Sequence, residues 1–151
     1  MEFPKWKDIP KPIRVIILII VILLLIWFGA NIYRILRKPP NAHYISGGGE
    51  IPEGWTPTTI TDDLFNVISG VFTLPKTKQL IFGQFNDLND NQMIKVYNDW
   101  NDRYATRSIF LGMGSYGTLT TAATEEWNYS VIGADNEAEI MKGNLKRLKL
   151  K

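Results

Sequence analysis

"LNDNQMIKVYNDWNDRY", residues 88–104, decides how this chain is read. Its Asn and Asp residues raise the question of a metal loop, and its aromatic residues raise that of a helix. A calcium loop of the EF-hand type needs oxygen ligands at positions 1, 3 and 5, Gly at 6 and a bidentate acid at 12. Counting from Asp87 places Asp87, Asn89 and Asn91 correctly, then Gln92 at the Gly position and Asn98 at the acid position. Both the sharp turn and the bidentate ligand are missing. The helical alternative accounts for more of the stretch. Met93, Tyr97, Trp100 and Tyr104 recur at i, i+4, i+7 and i+11, with Ile94 and Val96 flanking them. Asn89 precedes this stripe and Gln92 lies three residues on, the signature of a capping box. Asp99 and Arg103 are spaced for an i, i+4 ion pair. The spacing therefore predicts a helix with Asn89 and Asp90 at its start and Lys95, Asn98, Asp99, Asn101 and Asp102 on a solvated face.

Working outward, the neighbouring segments read as further short helices. Thr61 is the expected N-cap of a helix over "DDLFNVISGVF", with Asp62 and Asp63 in its first turn and Leu64, Ile68, Val71 and Phe72 at helical spacing. Pro75 ends it, and a second helix follows over roughly 76–85. "GMGSYG", residues 112–117, reads as a flexible loop, and "TLTTAATEEW" as a fourth helix. Asp135 or Asn136 starts a fifth, with Glu137 and Glu139 early and Lys142, Lys146, Arg147 and Lys149 late, an order that complements the helix dipole. No segment alternates with strand period. The expected class is all-α, a bundle of about five short helices over 61–151.

Ahead of this domain stands "VIILIIVILLLIWFGANIY", residues 15–33, without a formal charge. At about 1.5 Å per residue it spans roughly the ~30 Å hydrocarbon core of a bilayer. It is apolar all round, unlike a surface helix of a soluble protein. The run is long for a signal peptide, and "WFGAN" puts large residues where cleavage requires small ones. Residues 1–38 thus read as a basic N-terminus and a transmembrane helix. Arg14 marks one headgroup boundary; Trp27, Tyr33, Arg34, Arg37 and Lys38 mark the other. The balance of flanking charge leans weakly toward a cytoplasmic N-terminus. Between anchor and domain, "PPNAHYISGGGEIPEGWTPTTI", residues 39–60, is rich in Pro and Gly and reads as a linker with His43 exposed.

Composition narrows the chemistry. Of 151 residues none is Cys and one is His, so thiolate metal sites, Cys nucleophiles and His clusters are excluded within one chain. The acidic pair Glu125-Glu126 invites a peptidoglycan-acting enzyme, but adjacent helical residues point about 100° apart and are poorly placed to act as a carboxylate pair. Charge is segregated into basic ends and an acidic middle, which argues against specific nucleic-acid binding by the middle. The last residues, "KGNLKRLKLK", interleave Leu145, Leu148 and Leu150 with Lys142, Lys146, Arg147, Lys149 and Lys151. They read as a short amphipathic end suited to an anionic membrane or an acidic partner.

The order of motifs over 61–148 resembles a single annexin-type repeat of five short helices. "DLFNVISG", "KQLIFGQF", "LNDNQMIKVYNDWNDRY", "LTTAATEEW" and "EIMKGNLKRL" correspond to its helices in order. The resemblance implies a calcium loop after the first helix, where the family carries Gly-x-Gly-Thr. Here the place reads "GVFT", Gly70 to Thr73, with Phe72 at the second Gly and Glu126 as the distal acid. Half the site remains, so no metal or cofactor is expected, and a calcium- or lipid-responsive membrane-binding module stays an alternative. The chain is also similar in composition to minor membrane proteins of phages that carry an internal membrane. The expected function is structural and non-enzymatic. The chain reads as a single-pass adaptor whose partners are the lipid bilayer and proteins of a membrane-associated assembly, such as a viral capsid.

Overall fold

A computed structural model describes residues 9–36, 38–70, 73–109, 114–127 and 135–151. The described elements are all helical: α1 (Lys11–Leu36), α2 (Thr58–Ser69), α3 (Pro75–Asn86), α4 (Asp90–Arg103), α5 (Leu119–Trp127) and α6 (Asp135–Arg147). The chain divides into two compact units, Met1–Arg37 and Lys38–Lys151. The first holds α1. Its Lys11–Ala30 stretch is long and apolar enough to cross a membrane, and none of it is buried by protein. The Pro39-Pro40 pair follows its end, where neither residue can donate a helical hydrogen bond.

The second unit is a bundle of five short helices. Its core gathers Leu64, Val67 and Ile68 from α2, Ile81, Phe82 and Phe85 from α3, Leu119 and Ala122 from α5, and Met141 and Leu145 from α6. α4 and its C-cap Tyr104 supply most of the rest, and the stripe expected from its spacing is buried: Met93, Tyr97, Trp100 and Tyr104. The flanking Ile94 and Val96 are as deeply buried, so α4 is covered on more than one side. Its capping box forms as the sequence indicates, Asn89 Oδ1 accepting from Gln92 N and Gln92 Oε1 from Asn89 N. Trp100 is fully buried, its indole N–H donating to Gly117 O at 3.0 Å. That bond anchors the end of the loop read from the sequence as flexible, and Tyr116 packs edge-on against Trp100.

Two local expectations are corrected. Thr61 is not an N-cap: α2 starts a turn earlier, and Thr61 is buried inside it with its hydroxyl donating to Pro57 O at 2.9 Å. Asp62 and Asp63 consequently sit past the first turn. Val71 and Phe72 lie outside the described residues, and the buried face of α2 is completed by Val67.

The larger correction concerns residues 39–60, read as a free linker. The segment from Lys38 to Glu50 is a strap laid along α4, running from the C-terminal end of that helix to its N-terminal end, after which the chain turns back and Trp55 meets Lys95 in the middle of α4. Asn98 exchanges two bonds with Ala42, accepting from its N at 2.7 Å and donating to its O at 2.9 Å. Asn91 accepts from Ile45 N at 2.9 Å and donates to Gly49 O at 2.9 Å. Asn89 Nδ2 donates to Glu50 O at 2.8 Å, and Lys95 Nζ to Trp55 O at 3.0 Å. The glycines make this approach feasible. A Cβ on Gly48 would meet Asn91 Oδ1 at 2.7 Å, and Gly49 holds φ +91° with Asn89 against its Cα. Of the face expected to be solvated, Lys95, Asn98 and the fully buried Asn101 are thus engaged with backbone, Asp99 pairs with Arg103, and Asp102 stays exposed.

Candidate functional site

The sequence-predicted membrane-boundary residues fall in different surroundings. Trp27 and Tyr33 are half exposed on α1, Trp27 edge-on to Phe28. Arg14 Nε donates to Ile9 O at 2.7 Å. Lys38 belongs to the second unit and pairs with Asp102 at 2.6 Å, so it is tied to α4. Arg37 and the side chain of Arg34 lie outside the described residues, as do the side chains of Glu126 and Trp127. Glu125 is exposed on α5. Among the described residues, no group of three or more His, Cys, Asp or Glu side chains could hold a metal ion.

The basic end is organised differently from the amphipathic tail read in the sequence. Leu145 and Leu150 belong to the core and Leu148 packs against it, so the apolar side is taken up inside the bundle. Arg147 is also withdrawn: its guanidinium grips Asp90 at 2.8 and 2.6 Å. The chain closes α6 with Leu150 N donating to Leu145 O at 2.9 Å and Lys149 N to Lys146 O at 3.0 Å. This is a Schellman motif with its customary apolar contact, here between Leu145 and Leu150. Its left-handed position is held by Lys149 at φ +55°, where Gly is the usual occupant. A non-Gly residue there costs about 1–2 kcal/mol.

Lys142, Lys146, Lys149 and Lys151 remain, and they surround a cleft of about 340 Å³ between α5 and α6. Leu150 and the methyl-bearing Thr120 and Thr124 complete its lining. Both threonine hydroxyls donate to backbone, Thr120 to Leu150 O at 2.8 Å and Thr124 to Thr120 O at 2.7 Å. Lys142 also meets Glu139 at 3.7 Å along α6. Spacing of i, i+4, i+7 places Lys142, Lys146 and Lys149 on one side of the helix end, and this signal was present in the sequence. What the sequence did not show was the packing of α5 against α6, which makes a cleft of that side.

A second polar cluster sits where α2 meets the end of α4. Asp62 accepts from Tyr104 Oη and from Arg103, while Arg103 also donates to Asp99 at 3.1 Å. The Tyr104 hydrogen bond, with help from Arg103, holds the Asp62 carboxyl below its ordinary range. Burial and the bond to Asp62 raise the Tyr104 phenol. Phe65 stacks on Tyr104 with ring centroids 4.1 Å apart, and Arg107 lies over Phe65 at 4.8 Å. The cluster is internally satisfied, each charge facing an opposite one or an aromatic face.

Comparison with family models, with curated proteins and with solved structures finds no match.

Proposed function

We propose that the chain is a single-pass membrane anchor carrying an adaptor head that binds other proteins at the membrane surface. The observation behind this is the pairing of unlike units. One is a helix apolar on every side with no protein covering it, and the other is a bundle with a core of its own. An uncovered helix of this length is costly in water and stable in lipid, because its backbone bonds are satisfied internally. For the head, Leu74, Leu80 and Ile140 stand exposed on and around α3 and α6, and apolar side chains of this kind suit contact with another protein. Among the described residues Asp62 and Asp90 are held below their ordinary range, Asp62 by the Tyr104 hydrogen bond with help from Arg103 and Asp90 by Arg147, whereas an acid catalyst requires a carboxyl held up. The compositional likeness to phage membrane proteins makes a capsid the first partner to test.

Alkaline carbonate extraction of membranes containing the full chain should leave it in the pellet, and release to the supernatant would refute the spanning helix. A photo-crosslinking side chain at position 80 should then give a discrete protein adduct in the native membrane. Adducts to lipid alone, with none to protein, would sink the adaptor part while leaving the anchor intact.

A further inference from the structure

The strap behaves as a ligand of α4 that belongs to the same chain. Its bonds to α4 run through its backbone, where Asn89, Asn91 and Asn98 read N–H and C=O groups of Ala42, Ile45, Gly49 and Glu50. Its own large side chains contribute little, since Tyr44 and Ile45 stay exposed. Seating is incomplete near the strap's first end. Asn101 Nδ2 reaches Pro40 O only at 3.4 Å, and the buried Asn101 Oδ1 meets no hydrogen-bond partner among the described residues. A polar, half-open interface with few buried apolar contacts opens at low cost. Any strap of the same sequence fits it as well as the chain's own.

One reverse turn decides whose strap that is. Beyond Glu50 the chain doubles back, with Trp55 N donating to Pro52 O at 3.1 Å. Gly54 holds φ +76° at the third position, as a type II turn requires. Prolines bracket the turn at Pro52 and Pro57, and a proline biases the residue before it toward extended backbone, here Ile51 and Thr56. Opening the turn at Glu53 and Gly54 gives up one backbone hydrogen bond. It carries the strap away while Trp55 keeps its bond from Lys95 on its own head.

We propose that two copies of this chain exchange straps, each laying residues 38–50 along α4 of the other. Every bond between strap and α4 is remade in the exchanged pair, so the balance is set by the turn and by the frequency of encounter. Encounter is favoured where copies share one bilayer, a point that rests on the proposed membrane anchor. The occupant is a second copy because the surface of α4 is fitted to this sequence. A Cβ at Gly48 would meet Asn91 at 2.7 Å and one at Gly49 would meet Asn89 at 2.6 Å, so both positions admit glycine and little else. Lys38 adds a charge match to Asp102.

The chain has no Cys, so single cysteines label one position each. Asn41 Nδ2 donates to Asp102 Oδ1 at 3.4 Å across strap and helix, and neither residue belongs to the asparagine clamps. Full-length Asn41→Cys and Asp102→Cys copies are mixed in urea, reconstituted together into phosphatidylcholine vesicles and treated with a short dimaleimide. Exchange should crosslink them at least tenfold more than Asn41→Cys mixed with Lys76→Cys, an exposed position on α3 that reports collision. Gly54→Ala, added to both copies, gives the sharper readout. Its Cβ meets nothing within 4 Å, so it strains the closed turn alone and should raise the crosslink severalfold. The proposal is overturned if the Asn41–Asp102 crosslink stays at the collision level, or if Gly54→Ala leaves it unchanged. Flotation of the same vesicles separates exchange from anchoring. Copies that fail to float refute the spanning helix, and the crosslink is then scored on the unanchored chain with the same two outcomes.

Discussion

Asp90 opens α4, and Arg147 at the end of α6 reaches it with two hydrogen bonds across 57 residues of chain. The hydrogen bonds from Arg147 hold the Asp90 carboxyl below its ordinary range, and its charge adds to them. A carboxyl with a depressed folded pKa stabilises the fold above its unfolded value, about 3.9, and that contribution disappears as pH falls through the folded value. Asp62, lowered by Tyr104 and Arg103, acts with the same sign. The head should therefore lose stability as pH drops below about 4. Asp90→Asn should remove part of that acid dependence and cost about 0.2–1 kcal/mol at pH 7, the range for a solvent-exposed pair. Parallel thermal melts of the two proteins from pH 7 to pH 2.5 check this, and curves of identical slope would show that the pair contributes nothing. This bond illustrates what single-sequence reasoning misses. The local pair Asp99–Arg103 was legible from its spacing, and so was the Asn89 cap. Asp90 and Arg147 carry no local signal linking them, and Arg147 was accordingly read as surface charge.

At the scale of elements, the helices were legible and the strap was not. The i, i+4, i+7 pattern of α4 follows from burial of one side and can be read in any sequence that keeps it. The strap is held mostly through its own backbone, by Asn89, Asn91 and Asn98, so its side chains need no period. Pro and Gly at 39–60 serve close approach here, and the same residues mark free linkers elsewhere. Even within the triple glycine 47–49, featureless as sequence, Gly48 lies against Asn91 and Gly49 against Asn89. Thr61 shows the opposite failure: a good capping residue was absorbed into the helix because Pro57 starts it earlier. Asn91→Ala removes the side chain that holds both Ile45 and Gly49 and should cost about 1–2 kcal/mol. The effect should also be local. Amide exchange at residues 42–50 should quicken far more than at Trp100. Uniform loss of protection across the bundle would mean that the strap and the helices unfold as one.

For the whole molecule, the division into an apolar helix and an all-helical head was legible from composition and periodicity alone. The boundary between them was not, because it depends on where the chain first meets α4. The structure puts it at Lys38. A chain beginning at Lys38 should therefore fold on its own, and one beginning at Thr58 should be weaker by about 2 kcal/mol, or roughly 8–16 °C in Tm. Calorimetry on the two decides it, and equal melting temperatures would reduce the strap to decoration. The strap also has a mechanical consequence. Tension applied at residue 38 loads the Lys38–Asp102 pair first. The bonds of Ala42, Ile45, Gly49 and Glu50 follow in chain order along α4. They give way in succession, and each rupture lengthens the tether a little. Freed as far as Trp55, the segment reaches an end-to-end span of at most about 60 Å before any helix of the bundle carries load. A pull on α1 thus meets an extensible spring with a stepwise yield, and the core behind it stays folded while the slack runs out.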